Sequence, residues 1–378
     1  MPYRTFALFA LLAGALTLLA AQAGAAKPKP KPKTKTAKAT KPKPMPPSAA
    51  NHIFVIMLEN HSKSSVLGDA NAPFINELAK RGAVAANYYG VTHPSEPNYV
   101  AAISGSNWWS NNDDPNNRFD HTNLVDQLEA KKRTWGAYME SMPSAGYTGD
   151  YWPDSKNPLY ASKHNPFVLF TDIRSNAARL AMIKPYTSLA ADLKSVATTP
   201  NVVWISPNQC HDMHGGVYGT VGSGDGSPCP YGSAKDDAND AALKQKADAF
   251  VKDAVQTIEG SPAWKAGTAA IFIVTDENDY TGNADTGGWE DAAGCCDSPV
   301  LAAGDPSVSK TWPGGVYGGG LIPAVIVSNK GKDGGYVSRQ PYNHYSLLKT
   351  IEQVFGLGYL GFASDGAQVK PMTEFLTK

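Results

Sequence analysis

The chain has 378 residues, four cysteines, and 34 basic against 34 acidic side chains. Its neutral total hides an asymmetry: every acid lies at Glu59 or later, whereas eight lysines and no acid occupy residues 27–47, which leaves residues 51–378 with 25 basic and 34 acidic groups, a formal charge of −9. No aromatic residue is interleaved with those lysines, which excludes specific nucleic-acid recognition, and no apolar run reaches the roughly 18 residues of a membrane span.

In chain order, residues 1–26 open with Arg4, continue apolar from Phe6 to Ala20 and end in AQAGAA, the pattern of a secretory signal peptide. The mature protein is therefore expected outside the cytoplasm, secreted or in the periplasm or cell envelope, with no transmembrane span after cleavage. Residues 27–50 are a Lys/Pro-rich linker. Alternating Lys and Pro favours extended polyproline II, and its positive charge suits contact with an anionic surface. Residues 51–378 are expected to be one catalytic domain, a size common for a single α/β enzyme.

Within that domain IFVIML (53–58) reads as a buried strand ending on Glu59-Asn60. PFINELAKRG (73–82) has helical spacing and a terminal glycine. AANYYGV (85–91) is strand-like and leads to THPSEPNY (92–99), in which Ser95 stands near a helix start. Helix NLVDQLEAKK (123–132), strand TWGAYME (134–140), strand NVVWIS (201–206) and helix 236–260 follow. AIFIVT (270–275) ends on Asp276-Glu277-Asn278-Asp279. Strand IPAVIVS (322–328) and helix HYSLLKTIEQVFG (344–356) complete the series. Two stretches, 141–171 and 284–320, are rich in Gly and aromatics and are candidates for the walls of a substrate cleft.

Strands alternating with helices predict an α/β sandwich around a mostly parallel sheet. In such sheets ligands sit outside the carboxyl ends of the strands, so the polar residues after four strands share one rim. Three carboxylates, an Asn, a Ser and several His at that rim suit a hard divalent cation beside a hydroxyl nucleophile. Four cysteines in an exported chain predict two disulfides, and the adjacent Cys295 and Cys296 are each expected to reach Cys210 or Cys229.

MLENHS (57–62), THPSEPNYVAAISGS (92–106), PNQCHDMHG (207–215), IVTDEND (273–279) and NHYSLLKTIEQVFGL (343–357) together resemble the phosphoesterase family of secreted acid phosphatases and bacterial phospholipases C, in the alkaline phosphatase superfamily. The match is most like the acid phosphatase and phosphatidylinositol phosphate phosphatase branch. The resemblance implies an alkaline phosphatase-like three-layer α/β sandwich with a mostly parallel central sheet. It implies one divalent metal ion held by Glu59, Asn60, Asp276 and Glu277, where some relatives carry two Asp in place of Asp276-Glu277. It makes Ser95 the nucleophile, His93 and His214 phosphate-contacting residues, and Asp212 the group that orients them, while His211 and His344 support the core.

The reaction implied is hydrolysis of a phosphomonoester through a phosphoserine. Phospholipid headgroups are among the candidate substrates. The alternatives are a phospholipase C-type phosphodiesterase and a non-catalytic wall-associated binding protein. Ser95 lacks the C/S-x-P-x-R context of sulfatases, and no G-x-S-x-G elbow of an acyl hydrolase occurs.

Overall fold

The run IFVIML forms strand β1 (His52–Leu58), in which all seven residues are buried. It lies between two parallel neighbours, β5 (Val202–Ser206) and β6 (Ala269–Thr275). A strand paired on both edges and covered on both faces has no solvent side, which is why its sequence is apolar throughout instead of alternating. The computed structural model describes residues 51–216, 229–232, 237–279 and 292–378, all within the compact unit Ala39–Lys378. The expected signal peptide and Lys/Pro linker lie outside the described residues.

The period of two in β1 feeds two separate cores. Ile53, Val55 and Met57 pack with Tyr99, Ile103, Leu128 and Leu348, which belong to helices α2 (Ser95–Ser104), α3 (Leu124–Ala130) and α5 (His344–Phe355). Phe54, Ile56 and Leu58 pack with Ile75, Leu78, Val251 and Val255, from α1 (Pro73–Arg81) and α4 (Asp237–Gly260). Helices therefore cover both faces, and the three-layer sandwich expected from the sequence is present.

The remaining strands of the nine-stranded sheet are β2 (Ala83–Tyr89), β3 (Trp135–Met139), β4 (Ile183–Pro185), β7 (Leu321–Ile322), β8 (Ala324–Ser328) and β9 (Tyr336–Asn343). Their order is β7-β2-β8-β6-β1-β5-β3-β4, with β9 paired to β2. The block β6-β1-β5-β3-β4 is parallel throughout. β8 runs antiparallel to both β6 and β2, and two reversals return β2 to the direction of β6. The carboxyl ends of β1, β2, β5 and β6 thus open on the same edge, as expected. Register sharpens this: Leu58 lies opposite Thr275, so Glu59 and Asp276 leave the sheet side by side. Close behind them Gly90 is required, because a Cβ there would stand 2.7 Å from the Asp276 carbonyl oxygen.

The cysteines pair differently from expectation. Cys210 bonds Cys229, with Cα atoms 5.2 Å apart, and Cys295 bonds its neighbour Cys296. The reason is packing: Cys210 and Cys229 flank Leu243, whereas Cys296 sits with Val91, Ala101, Tyr345 and Val369 in another cluster. The 207–215 loop reaches the acidic strand end by a backbone bond instead, from the Glu59 amide to the Asp212 carbonyl at 2.7 Å.

Asn343 joins the Cys295-Cys296 turn to α5. Fully buried, it accepts from the Tyr345 and Ser346 amides as a helix cap and donates to the Cys295 and Cys296 carbonyls at 3.2 and 3.1 Å. Asn343→Ala should therefore lower unfolding free energy by about 2–3 kcal/mol, one lost cap plus two stranded carbonyls. Urea denaturation at pH 7 checks this; a wild-type midpoint would show that the turn is held by other contacts.

Candidate active site

The end of β1 places Glu59 and Asn60, and the end of β6 places Asp276 and Glu277. Asn60 adopts φ 42°, a left-handed conformation that asparagine tolerates, and this turns its amide onto Asp276 Oδ1 at 3.0 Å. The same oxygen accepts from the Glu277 amide at 2.7 Å. Asp276 Oδ2 and Asn60 Oδ1 are buried and accept no hydrogen bond from the protein. His344, fully buried, donates from Nε2 to the Asp276 carbonyl at 2.6 Å and contacts the Tyr88 hydroxyl through Nδ1 at 3.1 Å. It acts as a strut for the strand end, consistent with its reading as a core histidine. His211 pairs with Glu140 at 2.8 Å and steadies its own loop.

Ser95 is the first residue of α2, after Pro94 as N-cap, and makes no capping bond. Its Oγ points at two carboxylates instead, 2.9 Å from Glu59 Oε2 and 3.3 Å from Glu277 Oε1. The single hydroxyl proton is therefore shared between acceptors from two different strand ends. Glu277 Oε2 contacts His93 Nδ1 at 2.6 Å. Asn98 holds the turn before the helix, accepting from the Val91 and Thr92 amides and donating to the Thr92 carbonyl.

Asp212 is fully buried, and its Oδ1 accepts from the His214 amide at 2.8 Å. His214 donates from Nδ1 to the Gly215 carbonyl at 2.8 Å, and burial pushes its pKa down to about 3. It is therefore a neutral imidazole presenting Nε2 as an acceptor. His214 joins the cluster through His164, whose ring lies 5.9 Å away.

His164 and Lys163 escaped the sequence reading. His164 Nε2 is 3.0 Å from Glu59 Oε1, its Nδ1 is 3.3 Å from Asp212 Oδ2, and its ring stacks on Tyr99. It bridges the ends of β1 and β5 from the irregular 141–171 stretch, which is thus a wall of the site. The signal available was Lys163-His164-Asn165, a charged and amide-bearing run inside an otherwise Pro- and aromatic-rich loop. Lys163 is the cation nearest the carboxyls in electrostatic effect. Burial opposes its charge, but Asp113, 3.1 Å away, and Glu59 outweigh it and push its pKa up.

Burial first, and mutual repulsion second, push these carboxyls up: Glu59 against Asp276, and Asp276 against Glu277 to about 8. Glu277 and Asp212 are raised mainly by burial as well. The donor set is all oxygen, two of its oxygens lack a protein partner, and its charge calls for a cation, so Glu59, Asn60, Asp276 and Glu277 fit a hard divalent ion in chemistry. Among the described residues no three His, Cys, Asp or Glu side chains stand in ligating geometry. Glu59 and Glu277 face Ser95, His164 and His93.

The model of the Phosphoesterase family matches residues 68–226 and 230–358. A phosphate-repressible acid phosphatase of Penicillium chrysogenum is 37% identical over 42% of this chain and 38% of its own. This chain spans under two fifths of the length of the fungal acid phosphatases it matches. A phosphatidylinositol-3-phosphatase of Mycobacterium tuberculosis is 25% identical over 84% of this chain and 81% of its own. Among solved structures, that of Ps i-CgsB shares the fold at 12% identity and TM-score 0.50, over 87% of this chain and 75% of its own.

Glu96, next to the candidate nucleophile, offers a test of this electrostatic setting. It is fully buried, Oε1 accepts from Asn117 at 2.6 Å, and burial pushes its pKa from the usual 4.5 up to about 8. Between those values the unfolded chain ionises and the folded one keeps its proton, so this group's contribution to stability is lost as pH rises from about 4.5 to about 8. Glu96→Gln should abolish that loss. Its denaturant midpoint, relative to wild type, should rise from pH 5 to pH 8; an unchanged difference would mean that Glu96 ionises freely.

Proposed function

The chain belongs to the Phosphoesterase family, and on that premise we propose that it is a metal-dependent phosphomonoesterase of the acid phosphatase kind, exported from the cell, working through a phosphoserine at Ser95. One observation carries the reading: a serine hydroxyl at a helix amino terminus, bonded to carboxylates from two strand ends. The helix terminus favours a phosphoryl group, and buried carboxylates are a reason to bring a cation.

In the first step Ser95 Oγ attacks phosphorus in line, the new O–P bond forming as the bond to the leaving alkoxide breaks. The hydroxyl proton leaves toward the carboxylates that already accept it, Glu59 first. His93, oriented by Glu277, protonates the alkoxide. Water then attacks phosphorus, returning a proton to His93, and Ser95 Oγ leaves and recovers its own. His214 Nε2, an acceptor, suits the protonated oxygen of a phosphomonoester monoanion. Asp212 holds the His214 backbone, and His164 keeps Glu59 facing Ser95. A divalent cation bound by Glu59, Asn60, Asp276 and Glu277 would neutralise phosphoryl charge and acidify the Ser95 hydroxyl.

The mycobacterial relative's name supports a phospholipid headgroup among the substrates. Export is supported by the signal-like residues 1–26, and the lysines of 27–50 are read as a contact for anionic surfaces that affects location more than chemistry.

Ser95→Ala should fold and lose about 10³-fold or more in kcat on p-nitrophenyl phosphate, and wild type quenched during turnover should carry phosphate on Ser95. Chelation should stop phosphate release and added divalent metal restore it. A folded Ser95→Ala enzyme with wild-type rates would overturn the nucleophile; a chelated enzyme at full rate would overturn the metal.

A further inference from the structure

Two connected cavities open beside the candidate active site. The larger, of about 750 Å³, is lined in part by Trp109, Val300 and Phe362. The smaller, of about 120 Å³, is lined in part by His93, Val308 and Tyr317, and the two share Asn107, Trp109 and Pro299. One groove therefore leads from His93, the proposed proton donor to the leaving oxygen, past Trp109 into a space large enough for a whole small molecule.

The surface that this groove offers a ligand is apolar. Trp109 is 86% exposed, Val300 73% and Phe362 40%, and all three line the larger cavity. Large apolar side chains grouped in this way mark a binding surface. The tryptophan wall is held in place: Trp108 donates its indole N–H to Ser104 Oγ at 2.9 Å and stacks on His121 at 3.5 Å. Trp108 and Trp109 have φ 51° and 62°, a left-handed backbone that is an outlier for bulky side chains and of the kind that gathers at functional sites. That turn keeps Trp109 out in solvent. The facing wall is tied to the same helix end, because the Phe362 amide donates to the Gly105 carbonyl at 2.7 Å and the Phe362 ring lies 5.3 Å from that of Tyr345.

Charge and shape narrow the ligand. Asp365, on the cavity wall, accepts on Oδ1 from the Gln368 and Ala367 amides at 3.0 and 2.6 Å, which push its pKa down and keep it ionised. A second anionic group on the ligand would be repelled there. Lys349 does not reverse this, since its Nζ bonds the Asp365 carbonyl at 3.1 Å and the residue is only 4% exposed. An uncharged apolar group therefore fits. Between a chain and a ring, the exposed indole face favours the ring, because stacked aromatics gain beyond the area they bury and a rigid ring loses little conformational entropy.

We propose that the groove is a leaving-group subsite for an extended, uncharged aromatic ring system stacked on Trp109. The preferred substrates are then aryl monophosphates larger than one ring; the bond from phosphorus to the aryl oxygen breaks, His93 supplies the proton, and a neutral phenol departs through the groove. The proposal rests on the phosphomonoesterase reading, and its test is built to fail separately from it. Phenyl and 2-naphthyl phosphate have leaving oxygens of similar basicity, so the ratio of their kcat/KM values reads the subsite and not the chemistry. In wild type 2-naphthyl phosphate should be favoured roughly tenfold. Trp109→Ala should bring that ratio to within about twofold of one, Trp109→Phe should keep most of it, and both should leave ethyl phosphate within about twofold of wild type. Octyl against ethyl phosphate is the control for an alkyl chain. A naphthyl-to-phenyl ratio that Trp109→Ala leaves unchanged would overturn the proposal, as would an octyl-to-ethyl ratio that falls as far. Saturation-transfer NMR with free 2-naphthol needs no turnover, and should show binding to wild type and its loss in Trp109→Ala. Should wild type hydrolyse no monoester, the catalytic reading fails and the NMR experiment alone decides the subsite: transfer that Trp109→Ala abolishes supports it, and transfer that is absent in wild type or persists in Trp109→Ala overturns it.

Discussion

Four carboxyls, those of Glu59, Asp212, Asp276 and Glu277, are buried together at the sheet edge, and among the described residues Lys163 is a basic side chain that acts on all of them. Burying uncompensated charge is costly, so each carboxyl is pushed toward its protonated form, and each is wired to donors that fix its direction. Asp276 takes two backbone amides on one oxygen, Glu277 takes the serine and a histidine, and Glu59 takes the serine beside another histidine. The site therefore gathers four carboxyls around one hydroxyl, and a cation is what would let them all ionise. The proposed cation and phosphoryl group are ligands whose charges would suit that arrangement.

The sheet makes this crowding tolerable. Parallel strands must return through helices, so the carboxyl ends of β1, β5 and β6 gather on one edge without effort of local sequence. The two reversals through β8 bring the end of β2 to that edge as well, and with it Ser95. The dense backbone contact at Gly90 then closes the space between the β2 turn and the acidic end of β6.

This much was legible because it follows from local rules. Continuous apolar runs mark doubly buried strands, and polar residues directly after them mark the edge where ligands bind. His164 and Lys163 obey no such rule. They sit in a 3₁₀ turn within a stretch lacking periodicity, and their roles arise only when that turn packs on Tyr99 of α2. The cysteines failed for a related reason. Disulfide pairing depends on Cα proximity, and the separation of Cys210-Cys229 from Cys295-Cys296 into different packing clusters is a tertiary fact. Of the two irregular stretches, 141–171 brings His164 to Glu59 in the candidate site, and the described part of 284–320 lines cavities beside Trp109 and His93.

The helix α2 ties Ser95 to the Trp108-Trp109 turn. Its first residue is Ser95, and its last, Ser104, receives the Trp108 indole. From there the chain turns back along the helix until Asp113 Oδ1 accepts from the Glu96 amide at 2.9 Å. The Trp109 loop is thus clamped at both ends of the helix that carries the serine. Asp113 also pairs with Lys163, adjacent to His164. One carboxylate therefore joins the segment bearing Trp109, the residue after Ser95, and the cation that balances the acidic cluster. The partly buried Lys163–Asp113 pair therefore links the acidic cluster to the turn that follows the serine's helix.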